Sequence, residues 1–265
     1  MEFETLSLSG ENGILHVRLN RPEKRNAINR QILLDLERCF SEVATGDNAK
    51  VVILSGEGKA FSAGTDLNEL GGLSGADSQG IRHFVRKAQR AFSEIENLEK
   101  VVIALIHGYA MGAGMEMILA CDLRIASEEA VFTIPEVDLG LVPDLGGSQR
   151  LPRIVGVARA KELILTGKTI SAGEAERIGL VNKVVALEEL EKTGRQWAEE
   201  VLSNEPVAVG LAKKNIDMSF GQSVADGLES AAIAQSILLT GEDFRKRIEA
   251  KVIQKNLGKK GKQSS

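Results

Sequence analysis

Residues Val101 to Gly147 read VVIALIHGYAMGAGMEMILACDLRIASEEAVFTIPEVDLGLVPDLGG. A β-branched run, Val101 to Ile106, ends in a glycine-spaced turn, Gly108 to Gly114, and an apolar segment from Met115 to Cys121 follows. That order is strand, turn, helix. One formal charge, Glu116, stands inside the apolar segment, flanked by Met115, Met117, Ile118 and Leu119. Glu136 stands in a second mostly apolar run, Val131 to Val142, and Asp144 follows it. A carboxyl group in apolar surroundings resists ionisation, which is how proteins make acids and bases that work near neutral pH. Glu116, Glu136 and Asp144 are therefore the first candidates for chemistry.

The whole chain bounds the answer. Its 265 residues fit one large α/β domain or slightly more, and a net charge of −4 gives no footprint for nucleic acid. The two cysteines, Cys39 and Cys121, lie in apolar helical patterns without metal-ligand spacing and read as buried free thiols. The three histidines, His16, His83 and His107, are scattered, so no zinc site is expected; His107 and Tyr109 read as packing residues. The start, MEFETLSL, lacks the basic and apolar features of a signal peptide, and no apolar run is long enough for a bilayer. The expectation is a cytoplasmic protein that binds neither membrane nor nucleic acid.

In chain order, Phe3–Leu8 and Ile14–Leu19 alternate apolar and polar around Gly10-Glu-Asn-Gly13, which predicts a β-hairpin. Asn29 suits the N-cap of a helix carrying Ile32, Leu33, Leu36, Phe40 and Val43, closed by Gly46. Val51–Leu54 is a buried-type strand, followed by a loop of small residues through Gly64 that lets a ligand approach the backbone. Gly71–Gly80 predicts a mobile loop, and Ile81, Phe84, Val85, Ala88, Phe92 and Ile95 predict one face of the next helix. Strands are expected near Leu123–Ala126 and Val131–Ile134. Beyond Leu145 the pattern is helix after helix, interrupted at Leu151–Gly156, with Ser171 and Glu174 spaced as a capping box. Units of strand, loop and helix over residues 3–44, 51–97 and 101–121 form a loose structural repeat, and the helical end has too little sheet to cover, so packing on other subunits is expected.

The glycine turn has a competing reading as a dinucleotide-binding turn. Met117 occupies the third glycine position, however, and Glu116 would lie in the first helical turn, where it would repel a pyrophosphate. No Gly-Lys-Ser/Thr follows any such turn, so a Walker loop is absent too. Unpaired N–H groups at a helix start, with acids beside them, suit instead the stabilisation of enolate-like charge next to a carbonyl.

The motifs Leu19-Asn-Arg-Pro-Glu-Lys-Arg-Asn-Ala-Ile28, Ala60-Phe-Ser-Ala-Gly-Thr-Asp-Leu67, Ile106-His-Gly-Tyr-Ala-Met-Gly-Ala-Gly-Met-Glu116, Ala120-Cys-Asp122, Pro135-Glu-Val-Asp-Leu-Gly-Leu-Val-Pro143 and Gln149-Arg-Leu-Pro152 occur in that order. Through nearly the whole chain the sequence resembles the crotonase superfamily, and within it the enoyl-CoA hydratases. The resemblance implies an α/β fold, a crotonase-like spiral of repeated ββα units over residues 1–200. It also implies a C-terminal helical trimerisation region, 201–257, as a homo-oligomer that is a trimer or a dimer of trimers; a disordered basic tail, 258–265, would follow.

The resemblance also assigns roles. The backbone N–H groups of Thr65 and Ala113 would form an oxyanion hole for an acyl-CoA thioester. Lys24, Arg25, Ala27, Ala63, Gly64, Asp66, Leu67, Gly112 and Pro135 would contact the substrate, with Lys24 near the phosphates. Glu116 and Glu136 would hold one water, Glu116 helping it attack C3 and Glu136 delivering a proton to C2. No cofactor is implied, since coenzyme A is part of the substrate, and fatty, branched or aromatic acyl groups all fit the family. Thr65 and Ala113 replace the commoner alanine and glycine, which a backbone hole tolerates, and the C-terminal segment lacks a Phe-ending motif. Asp144 occupies the position of a catalytic aspartate in dienoyl-CoA isomerases, where many hydratases have glycine. A double-bond isomerase using Glu136 and Asp144 is therefore the alternative to a hydratase, and a non-catalytic acyl-CoA-binding protein ranks last. A plainer role for Asp144 is to cap a helix starting at Leu145.

Overall fold

A computed structural model describes residues 2–261, Asp47 and Ser74 excepted. The chain divides into two compact units, Met1–Ser203 and Asn204–Ser265.

The first unit opens with β1 (Leu6–Glu11) and β2 (Ile14–Leu19), paired antiparallel with Glu11 opposite Ile14. Only Asn12 and Gly13 lie between, at φ 52° and 84°. An Asn-Gly pair with positive φ at both positions matches the twist of the flanking strands, so the hairpin follows from two residues. Helix α1 (Arg30–Thr45) starts where Asn29 Oδ1 accepts the Ile32 N–H at 2.9 Å. Strand β3 (Val51–Gly56) then runs parallel to β2. Two helices follow, α2 (Leu67–Gly72) capped by Asp66 and α3 (Ser78–Asn97) capped by Asp77. The expected loop over Gly71–Gly80 is thus shorter than its composition suggested, because an aspartate at each N-cap converts both flanks to helix.

Next come β4 (Val101–Ile106), β5 (Tyr109–Met111), α4 (Ala113–Leu119), β6 (Leu123–Ser127) and β7 (Val131–Thr133). Helix α5 (Gly147–Val155) contains Pro152 and runs through the expected interruption. Proline there deprives only the Ser148 carbonyl of its helical donor, and the helix ends at Gly156 with φ 79°. The rest of this unit is α6 (Val157–Thr166), β8 (Ile170–Ser171), α7 (Ala172–Arg177), β9 (Lys183–Val185) and α8 (Leu187–Leu202). Ser171 caps α7 by accepting the Glu174 N–H, but the Glu174 carboxylate pairs with Arg177 instead of closing a capping box.

One sheet has the order β1-β2-β3-β4-β6-β9, parallel beyond the first pair, and a smaller one has the order β5-β7-β8. Single parallel bridges, Ile28 to Thr65 and Ser62 to Ala110, carry the ladder of the smaller sheet back through the first two repeats. Each turn of the chain therefore gives one strand to the large sheet and one short extended piece to a second row, which is the expected spiral. The wall-to-wall burial of β3 and β4 explains their unbroken apolar sequence. Arg124, 7% exposed, fastens the C-terminal end of α4 by donating to the carbonyls of Cys121 (2.6 Å) and Leu180 (2.7 Å). Both cysteines are buried thiols outside any disulfide among the described residues, and burial pushes the Cys39 thiol up to about 12. Tyr109, expected to pack, is 44% exposed on β5.

The second unit holds α9 (Pro206–Met218), α10 (Val224–Thr240) and α11 (Glu242–Gly261). Glu205 and Ser223 cap the first two by accepting backbone N–H groups. Among its described residues only Gly210 and Ala234 are buried, while Ile216, Phe220, Val224, Leu228, Ile233 and Ile237 are exposed. The expected basic tail over 258–265 is corrected in its first half, since α11 runs to Gly261; residues 262–265 lie outside those described. Among the described residues no helix is long and apolar enough to cross a membrane.

Candidate active site

The three carboxyl groups singled out in the sequence meet in one place. A cavity of about 740 Å³ is lined by Glu116, Glu136 and Asp144 and otherwise mostly by apolar side chains. The apolar walls come from Ile28 and Leu33, from Leu67, Leu70 and Leu73 around α2, and from Ile81, Phe84, Val85 and Ala88 on α3. This explains the split in α3. Its C-terminal half buries Ala88, Ala91, Phe92 and Ile95 in the core, while Ile81, Phe84 and Val85 face the cavity.

Glu116 sits in the first turn of α4, every residue of which is buried, and is itself 1% exposed. Among the described residues no basic side chain pairs with it. Its Oε1 accepts two backbone N–H bonds, from Gly147 at 2.7 Å and Leu145 at 2.9 Å. Burial pushes its pKa up to about 8; the negative charges of Glu136 and Asp144 push the same way, and the two N–H bonds offset them only in part. Glu136 follows Pro135 at the start of a 3₁₀ turn, Glu136–Leu139, and burial raises its pKa as well. Its Oε2 is buried and has no hydrogen-bond partner among the described residues. A buried carboxylate oxygen without a donor is costly unless something else fills that place.

Gly112 joins these two acids. Its φ of 48° suits glycine, and a Cβ there would lie 2.9 Å from Glu136 Oε1. The absent side chain therefore lets Glu136 close against the start of the helix that carries Glu116. Asp144 does not cap a helix: α5 begins at Gly147 with Gly146 as N-cap, and no side chain caps it. Its carboxyl group lines the cavity instead, and burial raises its pKa.

Across from the acids lies the Ala60–Leu67 loop. It is stitched to β5 by Ser62 N–H to Tyr109 O (2.9 Å) and Met111 N–H to Ser62 O (3.1 Å), and to the first repeat by Ile28 N–H to Gly64 O (2.7 Å). This brings Gly64 against the start of α4, where a Cβ on Gly64 would lie 3.7 Å from Ala113 N. Neither the Thr65 N–H nor the Ala113 N–H has an acceptor among the described residues. For Ala113 that follows from its place as the first residue of a helix. Thr65 thus borders the cavity that holds the acids, and the Ala113 N–H lies next to Gly64 of its lining.

The other expected contacts divide. Ala63, Gly64, Thr65, Leu67, Gly112 and Pro135 line the cavity; Lys24, Arg25, Ala27, Asp66 and Ala113 do not. Lys24 ends a 3₁₀ turn, Pro22–Lys24, and Arg25 takes a left-handed φ of 50° while its carbonyl accepts the Ala63 N–H at 2.9 Å. Asp66 is engaged, paired with Arg21 at 3.3 Å and accepting the Asn68 N–H at 3.1 Å as the cap of α2. The donors to Glu116, Leu145 and Gly147, were not legible as such, because a backbone N–H is common to almost every residue type. The Gly146-Gly147 pair is their one trace: a Cβ on Gly147 would lie 2.9 Å from Glu116 Oε1.

The spiral of ββα repeats thus brings three carboxyl groups and the Gly64–Thr65 backbone to one largely apolar cavity. Residues 9–252 match the family model described as enoyl-CoA hydratase/isomerase. A short-chain-enoyl-CoA hydratase of Clostridium acetobutylicum is 42% identical over 218 residues, covering 82% of each chain. A peroxisomal Δ(3,5)-Δ(2,4)-dienoyl-CoA isomerase of Arabidopsis thaliana is 36% identical over 263 residues, 96% of this chain and 95% of its own. A solved enoyl-CoA hydratase from Bacillus anthracis superposes with a TM-score of 0.89 at 37% identity, covering 95% of this chain and 97% of that one. The chain belongs to the enoyl-CoA hydratase/isomerase family, within the crotonase superfamily, and has its fold.

Proposed function

We propose that the chain adds water across the 2,3 double bond of a 2-enoyl-CoA to give a 3-hydroxyacyl-CoA. The observation that carries this reading is the placement of Glu116 and Glu136 in one cavity that Gly64 and Thr65 also line, with the Ala113 N–H close to Gly64. The thioester oxygen accepts both N–H bonds, which hold the negative charge that develops as C3 is attacked. One water takes the place beside Glu136 Oε2, the orphaned acceptor. Glu116 accepts a proton from that water as its oxygen bonds to C3, and Glu136 donates one to C2, so the pair ends with its protons exchanged. Raised pKa values on both acids suit a pair that shares one proton. The adenine and pantetheine parts lie along Arg25, Ala27, Ala63 and Leu67, with Lys24 toward the phosphates, and Asp66 acts there by capping α2. In this reading no separate cofactor takes part.

Asp144 supports a second reading, double-bond isomerisation between Glu136 and Asp144. It lies in the same cavity with a raised pKa, and a dienoyl-CoA isomerase is among the full-length relatives. One assay pair separates the two. Loss of the conjugated thioester absorbance of crotonyl-CoA and longer 2-enoyl-CoA substrates is expected for the hydratase, and no turnover at any chain length would reject it. Asp144→Asn is expected to leave hydration within about threefold while an isomerase would lose about 10²-fold or more on a 3,5-dienoyl-CoA.

We further propose that the second unit self-associates into a trimer or dimer of trimers, supported by the exposed apolar side chains of α9 and α10. Sedimentation equilibrium is expected to give a mass three or six times that of the chain; a monomer across the micromolar range would refute it.

A further inference from the structure

Glu116 owes its place to a turn that is itself held from outside the cavity. The Leu145 N–H that reaches Glu116 Oε1 at 2.9 Å belongs to the peptide unit whose carbonyl is that of Asp144. On the other side of that peptide, Gln89 Nε2 donates to the Asp144 oxygen at 2.7 Å. The result is a continuous relay: amide N–H, peptide C=O, peptide N–H, carboxylate. Hydrogen bonds in series polarise one another, so a donor on the carbonyl strengthens the N–H on the far side. Gln89 is half-buried on α3, next to Ala88 of the cavity wall. Two turns further on, Glu96 of the same helix accepts Arg150 Nη2 at 2.6 Å, while Arg150 Nη1 donates to the Leu145 carbonyl at 2.8 Å. The first carbonyl of the turn is thus held directly from α3, and the second by Arg150 of α5, which Glu96 of α3 holds in turn.

We infer that Gln89 is a positioning residue for Glu116, orienting and polarising the Asp144–Leu145 peptide so that its N–H favours the ionised form of that acid. The inference rests on Glu116 as the proton acceptor of the proposed reaction. It also makes α3 both the wall that meets the substrate and the brace of the acid. The charged groups facing Glu116 are Glu136 and Asp144, both within its own cavity. Gln89 meets Asp144 only at its backbone carbonyl and makes no hydrogen bond to either carboxyl group, so a change at Gln89 reaches Glu116 through the peptide.

The test compares Gln89→Met, which keeps the length and loses the donor, with Gln89→Lys, which keeps a donor. Gln89→Met is expected to lower kcat about tenfold with KM changed less than about twofold, and to move the acid limb of the pH–rate profile up by about half a unit to one unit. Gln89→Lys is expected to restore most of both. A carbon-13 NMR titration of glutamate-labelled chain, with Glu116→Gln to assign the signal, reads the same pKa without any substrate. An upward shift in Gln89→Met supports the inference even if no enoyl-CoA is turned over, in which case only the proposed reaction fails. An unchanged Glu116 titration in a folded Gln89→Met overturns the inference, whatever the rate does.

Discussion

Glu116→Gln is expected to lower the hydration rate of crotonyl-CoA about 10³-fold and, at the same time, to stabilise the folded chain above neutral pH. The two effects have one cause. The amide keeps the shape and an oxygen that can accept the Leu145 and Gly147 N–H groups, but it cannot take a proton from water. The stability effect follows from linkage. Burial, with the charges of Glu136 and Asp144, puts the folded pKa at about 8 against an ordinary 4.5. Between those values the folded chain binds more protons than the unfolded chain, so stability is full below about 4.5, falls as pH rises and levels off above about 8. At pH 7 this loss is on the order of 3 kcal/mol. Glutamine is neutral throughout, so the variant loses that part of the slope. Urea unfolding of parent and variant at pH 5.5, 7 and 8.5 checks it: the two should converge at the acid end and separate toward the alkaline end. Parallel curves would mean that Glu116 ionises at little cost and is not the tuned acid described above.

How much of this was readable beforehand depends on what each feature is made of. The hairpin, the start of α1 and the cap of α7 were legible because side chains specify them: Asn12-Gly13, Asn29 and Ser171. The acids Glu116 and Glu136 were legible as lone charges among apolar neighbours. Strands β5, β8 and β9 were not, because two or three residues carry no period and their pairing partners lie far away in the chain. The apolar residues Ile81–Ile95 were read only as one helix face, of which the first half lines the cavity and the second packs in the core; an apolar stripe looks the same whether it meets a core or a ligand. What seats Glu116 was hidden for a different reason. Its partners are backbone donors brought round by the turn before α5, and nothing in the sequence around Gln89 or Arg150 marks them as the side chains that hold this turn.

Gly64→Ala is the substitution expected to separate the donors from the acids. Glycine is needed at this point twice over, by a φ of 87° and by the Met111 carbonyl, whose oxygen would stand 2.7 Å from a new Cβ. That oxygen belongs to β5 and cannot turn away without leaving the small sheet. The Gly64–Thr65 segment must move instead, and its movement carries the Thr65 N–H away from the Ala113 N–H. Losing one such donor costs about 10²–10³-fold in kcat. The acids stay where they are, since α4, the Glu136 turn and the Leu145–Gly147 donors make no hydrogen bond to Gly64. The alkaline loss of stability described for Glu116 should therefore persist in Gly64→Ala, on top of a backbone penalty of about 1–3 kcal/mol. Gly173→Ala is the control, because nothing lies within 4 Å of a Cβ there and the residue is helical. It should leave the rate unchanged and the stability equal or slightly higher. If Gly64→Ala folds and retains the parental kcat, the charge on the thioester oxygen is not held between Thr65 and Ala113, and the cavity's acids must work with some other pair of donors.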